Sequence, residues 1–210
     1  MLFRSSALYD NLPFDPLKDL APVTIMSKRS TVIMAHPSTP YRNVQEYVAY
    51  TKANPGVVNV AALGPGSGPH MNAVWFHSLA NARVTYVHYK SASAMQSDLL
   101  SGRVQLTWAS LLTGLPHIKS GKLRLLAIGN SERSPLVPDA PTAAEQGMTG
   151  YDYSSMYGLL APAATPAAVI NRLSTEFARV AKSPDIAKKL EADGGFAVGD
   201  RKSTRLNSSH

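Results

Sequence analysis

Short apolar runs alternate along the chain with stretches whose apolar residues recur at helical spacing. Five apolar runs predict buried strands, at residues 31–35, 57–63, 84–89, 104–109 and 123–129. Helical spacing predicts helices over residues 43–53, 71–82, 92–101 and 166–181. Strands that alternate with helices are typical of an α/β fold, here with a largely parallel sheet.

Two of these helices carry more detailed expectations. One face of the helix over 71–82 collects Met71, Val74, Trp75, Ser78 and Leu79. We expect Trp75 and Phe76 to lie in the core, because they sit in an amphipathic helix. In the helix over 166–181, Thr165 is the predicted N-cap and Pro166 the first helical residue.

Composition narrows the class of protein. The 210 residues suffice for one domain or two small lobes, and the absence of Cys excludes disulfides, thiolate catalysis and cysteine metal sites. No uncharged apolar run of about 18 residues occurs, so we predict no membrane-spanning helix. The formal net charge is +7, but the basic residues are scattered and not interleaved with aromatic ones. We therefore predict no nucleic-acid partner.

Both ends of the sequence depart from the rest. Residues 201–210 contain three basic residues, three Ser and one Thr but no acidic residue, and we expect a disordered, non-native-looking tail. The first residues, Met1–Ser6, lack the pattern of a secretory signal. We expect either a cytosolic protein or a chain whose true beginning is missing.

A glycine-rich segment, Gly64–His70, separates a predicted strand from a predicted helix. Its glycines let the backbone approach a ligand closely, and free N–H groups at a helix start attract an anion. Ser67 is placed either to cap the helix or to bind a carboxylate, and the alternative for the whole segment is a flexible connection. It is neither a dinucleotide fingerprint nor a nucleophile elbow, since Pro65 and Pro69 stand where the elbow needs glycine.

A second segment, Tyr89–Ser93, also joins a strand to a helix. The carboxyl ends of parallel strands share one edge of the sheet, so this turn and the glycine-rich one can face a common cleft. Two helix N-termini would then converge on one anion. The alternative is that Ser91 or Ser93 is only an N-cap.

Metal binding and catalysis find little support. His70 and His77 are seven residues apart, and no carboxylate lies three or four residues after either. We therefore predict no metal site. No nucleophile and base, and no acid and base, have a spacing that indicates catalysis.

The ordered motifs together resemble the substrate-binding receptors of tripartite tricarboxylate transporters, the Bug-type family. Examples are Gly64-x-Gly-x-x-x-His70 and the run Pro138-Asp-Ala-Pro-Thr. The remaining matches lie at residues 12–24, 54–56, 59–61, 87–90, 98–104, 115–124, 133–135, 143–147 and 157–166. The resemblance covers the chain from about residue 1 to about residue 199.

This resemblance implies a fold, a set of ligand residues and partners. The fold is the two-lobed α/β type II periplasmic binding class with lobe 1 incomplete; residues 37–124 form lobe 2, and 1–36 with 125–200 form part of lobe 1. The implied ligand residues are Gly66, Ser67, Gly68 and His70 in one loop, Tyr89 and Ser91 in the next, and Ser5 and Ser155 from lobe 1. It further implies a periplasmic monomer, without cofactor or enzymatic activity, that delivers a small carboxylate to permease subunits.

The chain also departs from the family pattern. The family's first strand and glycine-rich loop would precede Met1. Ser91 stands where the family usually has Gly, and Met156 where it usually has Trp. Two other classes of function stay open at this point, an enzyme on the same scaffold and a ligand-sensing domain for a signalling partner.

Overall fold

The computed structural model describes residues 13–192 and 195–200, which form an α/β fold as predicted. Its elements are β1 (Leu20–Ala35), α1 (Val44–Ala53), β2 (Asn59–Leu63), α2 (Gly68–Ala80), β3 (Thr85–Tyr89), α3 (Ala92–Leu100), β4 (Leu106–Ser110), α4 (Leu111–Lys119), β5 (Arg124–Ile128), β6 (Ser154–Pro162), α5 (Ala167–Ala181), α6 (Pro184–Ala192) and β7 (Gly195–Asp200). The chain divides into two compact units. Ser30–Ser155 form the central unit, and the described residues before and after them form the flanking unit.

The sheet of the central unit has the strand order β3-β2-β4-β1-β5. β2 pairs in parallel with both β3 and β4, whereas β1 pairs antiparallel with β4 and β5. The prediction of a largely parallel sheet is therefore correct for β2, β3, β4 and β5, which all run in one direction, and wrong for β1, which is antiparallel to both of its neighbours. Parallel strands need a crossover connection, and α2 and α3 supply it between β2, β3 and β4. β1 precedes these crossover units and runs in the opposite direction.

Two hydrophobic cores cover the two faces of this sheet. Alternate residues of β1 divide between them: Ile33 and Ala35 face the first core, and Val32 and Met34 face the second. The first core contains buried residues of α1 and α2, and the second those of α3 and α4. A sheet covered on both faces explains why its strands were recognisable as short, nearly continuous apolar runs.

The face of α2 that packs on the sheet differs from the predicted one. Phe76 is fully buried, as expected, but Trp75 is 38% and Leu79 46% exposed. The prediction that Trp75 lies in the core is therefore wrong. The buried face instead includes two polar residues, Asn72 and His77. Tyrosine hydroxyls bond both nitrogens of His77 and the Oδ1 of Asn72 inside the core, and these contacts with distant residues explain why the buried face was predicted wrongly.

Other corrections concern helix ends and missed elements. α5 begins after Pro166, which occupies the N-cap position without a side-chain hydrogen bond, so the predicted Thr165 cap is wrong. α4 was not predicted, because Gly114 and Pro116 are helix breakers. Gly114 packs closely against the end of the Met34 side chain, which would have to shift to make room for a Cβ there. None of the helices within residues 13–192 combines the length and hydrophobicity needed to cross a bilayer.

The flanking unit contains the first part of β1 together with β6, α5, α6 and β7. Residues 25–29 of β1 pair antiparallel with β7, and β6 also pairs with β1. Val23, Ala161 and Ile170 form its buried core. In this unit the guanidinium of Arg29 lies 4.9 Å from the centre of the Tyr157 ring.

The central unit is wider than the segment 37–124 predicted as lobe 2. The central unit also includes residues 30–36, because β1 pairs with β4 and β5, and residues 125–155, because Met148 and Tyr151 belong to the first core. The lobe assignment itself stays a prediction. Ser5 and the tail 201–210 lie outside the described residues.

A buried histidine links three elements of the first core. His77 is 4% exposed, and its Nε2 and Nδ1 lie 2.6 Å and 2.7 Å from the hydroxyls of Tyr47 and Tyr86. A neutral imidazole can donate to one hydroxyl and accept from the other, whereas an imidazolium can only donate. Burial lowers the pKa of His77 to about 4.

We expect the free energy of unfolding to fall as the pH is lowered from 6.5 towards 4. The unfolded chain binds the His77 proton at its ordinary pKa of 6.5, above the folded value of about 4, so protonation favours unfolding in this window. The expected loss is about 3 kcal/mol, measured by urea unfolding at a series of pH values.

His77→Gln is the matched variant, and it should flatten most of this slope. The pKa values of the Asp15 and Glu145 carboxyls are lowered by hydrogen bonds, so their protonation reduces stability only below their ordinary values of 3.8 and 4.5. The change in the free energy of unfolding between about pH 5 and 6.5 therefore reports on the protonation of histidines. An unchanged slope in His77→Gln would contradict the assignment.

Candidate functional site

Three helices of the central unit begin at one edge of its sheet. Because β2, β3 and β4 are mutually parallel, their carboxyl ends lie together, and α2, α3 and α4 start just after them. The register places Leu63 opposite Tyr89, and the N–H of Gly64 donates to the Tyr89 carbonyl at 3.3 Å. The structure thus brings together the two segments that the sequence predicted to share an edge. This edge is called the carboxyl edge below.

The glycine-rich loop uses much of its polar capacity internally. The N–H of Gly66 donates to His70 Nδ1 at 3.1 Å, and that of Ser67 donates to the Gly64 carbonyl at 3.2 Å. Ser67 Oγ accepts the N–H of His70 at 3.4 Å and donates to the Leu63 carbonyl. The predicted cap role of Ser67 is confirmed. Positive φ angles at Gly64 and Gly66 explain the need for glycine there.

The second predicted segment is also engaged within the protein. Ser91 Oγ accepts the N–H of Ala94 at 3.2 Å, so Ser91 is the N-cap of α3. The hydroxyl of Tyr89 donates to Asp98 Oδ2 at 2.9 Å, and Arg103 binds the other oxygen of this carboxylate at 2.7 Å. These contacts direct both side chains towards α3.

His70 lies against two rings of β3. Its ring centre is 5.0 Å from that of Tyr86 and 4.8 Å from that of His88. Burial, and next the neighbouring His88, lower the pKa of His70, which favours the neutral ring whose Nδ1 accepts the Gly66 N–H. No set of three or more His, Asp or Glu side chains within residues 13–192 and 195–200 is arranged to hold a metal ion.

A small cavity opens beside the first turn of α2 at the carboxyl edge. Its volume is about 30 Å³, enough for a water molecule or one oxygen-bearing group of a ligand. It is lined by Thr31, Pro69, Asn72, Trp108, Ala109, Ser110, Tyr153 and Ser155. None of these residues is charged. The predicted ligand residue Ser155 therefore lines this cavity, and the predicted Gly68 is adjacent to its Pro69 wall.

A larger open groove of about 380 Å³ runs along α1 and residues 146–148. None of its lining residues belongs to a strand or to the loops of the carboxyl edge, and they include Val44, Val48 and Met148. Ligands of open α/β sheets bind outside the carboxyl ends of the strands. The small cavity is therefore the better candidate despite its size.

Asn72 is the residue that distinguishes the small cavity. It is only 1% exposed, yet its Nδ2 has no hydrogen-bond partner in the described part of the chain. Its Oδ1 accepts the hydroxyl of Tyr151, and that hydroxyl in turn accepts the indole N–H of Trp108 at 3.0 Å. Burial raises the pKa of Tyr151, so its hydroxyl stays protonated. Asn72 was not among the residues predicted from the sequence, although a polar residue within an apolar helix was the available signal.

Hydroxyl groups complete the lining. Ser110 occupies the N-cap position of α4, but its side chain makes no capping hydrogen bond. The hydroxyl of Thr31 donates to the Tyr153 carbonyl at 2.8 Å, and the Tyr153 hydroxyl donates to the Gly68 carbonyl at 3.2 Å. The cavity thus combines an uncharged amide donor with hydroxyls that can donate or accept.

Such a lining suits binding better than bond cleavage. Asn and Ser side chains supply hydrogen bonds but no strong nucleophile or base at neutral pH. Ser67 and His70 share the neighbouring loop, yet Ser67 Oγ bonds the Leu63 carbonyl and the His70 backbone N–H, and the His70 ring accepts the Gly66 N–H. The geometry therefore provides hydrogen bonds for an acceptor oxygen.

Comparison with known proteins identifies the family of the chain. Residues 2–208 match the family described as tripartite tricarboxylate transporter family receptor. BugT of Bordetella pertussis is 30% identical over 192 residues, which cover 91% of this chain and 59% of BugT. The chain therefore spans less than three fifths of the length of BugT, and it spans 57% of the length of a second curated relative, from Pseudomonas sp..

Solved structures give the same result. A protein of R. palustris with adipate is 28% identical with a TM-score of 0.78, covering 93% of this chain and 66% of that one. MatC of Rhodopseudomonas palustris with bound malate is 27% identical with a TM-score of 0.76, covering 97% and 68%. These likenesses confirm the predicted fold class, that of the two-lobed periplasmic solute-binding proteins. The chain belongs to the receptor family of the tripartite tricarboxylate transporters.

Proposed function

We propose that the protein binds a small carboxylate at the carboxyl edge and delivers it to the permease subunits of a membrane transporter. The observation that carries this proposal is the buried, unpartnered Nδ2 of Asn72 in a cavity without acidic side chains. Two related proteins were solved with dicarboxylates, adipate and malate, which supports the same ligand class here. The role in transport rests on membership of the receptor family.

The proposed contact is a hydrogen bond from Asn72 Nδ2 to one carboxylate oxygen. A buried donor without a partner costs about 1–3 kcal/mol, and a charged acceptor that satisfies it recovers this cost. Ser110 and Ser155 can donate to the same carboxylate from other walls of the cavity. A cavity of about 30 Å³ holds only part of a dicarboxylate, so the remainder extends beyond it.

The predicted ligand residues fall into two groups in this proposal. Ser155 lines the cavity and Gly68 adjoins it, so we propose both as parts of the binding surface. Gly66, Ser67 and His70 shape the loop through bonds among themselves. For Tyr89 and Ser91, we propose that backbone rather than side-chain atoms reach a ligand, because their hydroxyls are engaged by α3.

The proposal also covers where the protein acts, which proteins it meets and what happens to its ligand. We propose a periplasmic protein that acts as a monomer, meets permease subunits and uses no cofactor. The bound carboxylate is released unchanged, since the cavity lining offers hydrogen bonds and no charged acid or base. Recovery of a chemically altered ligand after denaturation would contradict this point.

Thermal unfolding with a panel of carboxylates tests the ligand class. We expect adipate, malate or a similar dicarboxylate to raise the melting temperature, because a ligand at one hundred times its Kd stabilises by about 2.7 kcal/mol. This corresponds to a shift of several degrees for a chain of this size. The absence of a shift with every carboxylate would refute carboxylate binding by this chain.

Asn72→Asp tests the donor directly. The substitution keeps the shape of the side chain but replaces the Nδ2 donor by an oxygen that repels a carboxylate. We expect a loss of about 100-fold in affinity for the best ligand of the panel, measured by calorimetry.

Asn171→Asp is the matched control, since it adds the same charge on exposed α5 and should leave affinity unchanged. Asn72→Ala is a neutral companion that removes the donor without adding charge, and we expect about a tenfold loss. Equal affinities of Asn72→Asp, Asn72→Ala and the wild type would remove Asn72 from the site.

Ser67→Ala separates capping from ligand binding. We expect the free energy of unfolding to fall by about 1 kcal/mol in urea, because the capping oxygen of α2 is lost. Ser91→Ala removes the corresponding cap of α3 and should cost a similar amount. Carboxylate affinity should fall less than in Asn72→Ala; the reverse order would make Ser67 a direct ligand residue.

A further inference from the structure

We propose that Tyr151 is a positioning residue that determines which edge of the Asn72 amide faces the cavity, and thereby selects ligands that present an acceptor atom. This inference rests on the proposed function and deepens it. It explains how one uncharged side chain can discriminate between a carboxylate and a group of similar size that carries only donors. The contributing groups are the indole of Trp108, the Tyr151 hydroxyl and the Asn72 amide.

The direction of the hydrogen bonds follows from the chemistry of the first group. An indole N–H can only donate, so the Tyr151 oxygen must be the acceptor in the 3.0 Å contact with Trp108 Nε1. The hydroxyl proton is then available for a second bond, which goes to Asn72 Oδ1. Since the Asn72 oxygen is fixed on the Tyr151 side, Nδ2 occupies the opposite edge of the amide.

Burial makes this orientation persistent. Trp108, Tyr151 and Asn72 are each no more than 1% exposed, so bulk water does not compete for their polar atoms. An amide turned by half a rotation would place two donors against a tyrosine hydroxyl whose oxygen already accepts the Trp108 N–H. It would also lose the hydrogen bond from the Tyr151 hydroxyl to Asn72 Oδ1. The turned state is therefore disfavoured on both counts.

Selectivity follows from the fixed amide. With Nδ2 towards the cavity, a carboxylate or carbonyl oxygen gains a hydrogen bond, whereas an ammonium meets a donor and gains none. Specificity of this kind arises because the disfavoured group leaves buried polar atoms unpaired. Without the Tyr151 hydroxyl, Asn72 could present either Oδ1 or Nδ2 and would adapt to both types of group.

The ring of Tyr151 is held independently of its hydroxyl. It lies 5.2 Å from Phe76 in an edge-to-face arrangement and 5.2 Å from Trp75, both measured between ring centres. The Tyr151 backbone N–H also donates to the Met148 carbonyl at 3.0 Å. Tyr151→Phe should therefore keep the packing and remove only the hydroxyl.

A double-mutant cycle tests the inference with succinate and β-alanine, in which an ammonium replaces one carboxylate of succinate. We expect Tyr151→Phe to lower the affinity for succinate about tenfold. The ratio of the affinities for succinate and β-alanine should fall by a similar factor. In the Asn72→Ala background, the same substitution should change succinate affinity less than about twofold. Equal losses in both backgrounds, or no change in preference, would overturn a role through Asn72.

Tyr47→Phe is the matched control. It removes the hydroxyl of another fully buried tyrosine, and that hydroxyl bonds His77, which does not line the cavity. A comparable loss of stability with unchanged ligand preference is expected for it. The same loss of preference in Tyr47→Phe would show that any loosening of the first core alters selectivity, which would overturn the inference.

A measurement without ligand separates this inference from the proposed function. In labelled wild-type protein, the Asn72 side-chain amide protons should show stronger nuclear Overhauser effects to the cavity-lining residues than to the Tyr151 ring. The opposite pattern would show a turned amide and overturn the inference even if succinate binds. If no carboxylate binds while the expected pattern is found, the proposed function fails and the orientation of Asn72 stands.

Discussion

The parallel pairing of β2 with both β3 and β4 is the constraint on which the candidate site depends. Parallel strands share a direction, so their carboxyl ends and the starts of α2, α3 and α4 must meet at one edge. Each crossover helix then covers one face of the sheet and contributes to one of its two cores. The cavity lies where α2, β4 and β1 approach one another at this edge.

The loops at this edge are ordered mainly by bonds within the protein. Ser67 and Ser91 cap the helices that follow, and the Gly64 N–H ties the two loops together. Loops that are already held by internal hydrogen bonds lose less conformational entropy when they bind a ligand than flexible loops do. The donor without a partner is the buried Nδ2 of Asn72. A ligand oxygen can bond it without breaking a hydrogen bond of the protein.

Local signals in the sequence were sufficient for the α/β class, for most strands and for the Ser67 and Ser91 caps. Each of these depends on residues within a few positions of one another, as in the Ser67 bond to the His70 N–H. Asn72 could not be assigned in this way, because its partner Tyr151 is 79 residues distant. The exposure of Trp75 has the same origin, since tyrosines from distant segments allow Asn72 and His77 to take the buried face.

The two buried polar residues of α2 also set the rotation of that helix. Apolar character alone does not select the observed rotation of α2, since a turn by one residue would exchange the buried Phe76 and Ala80 for Trp75 and Leu79, which are apolar as well. Asn72 and His77 forbid the exchange, because each would leave a tyrosine hydroxyl unpaired in the core. The polar groups inside the apolar core thus restrict α2 to a single rotation about its axis.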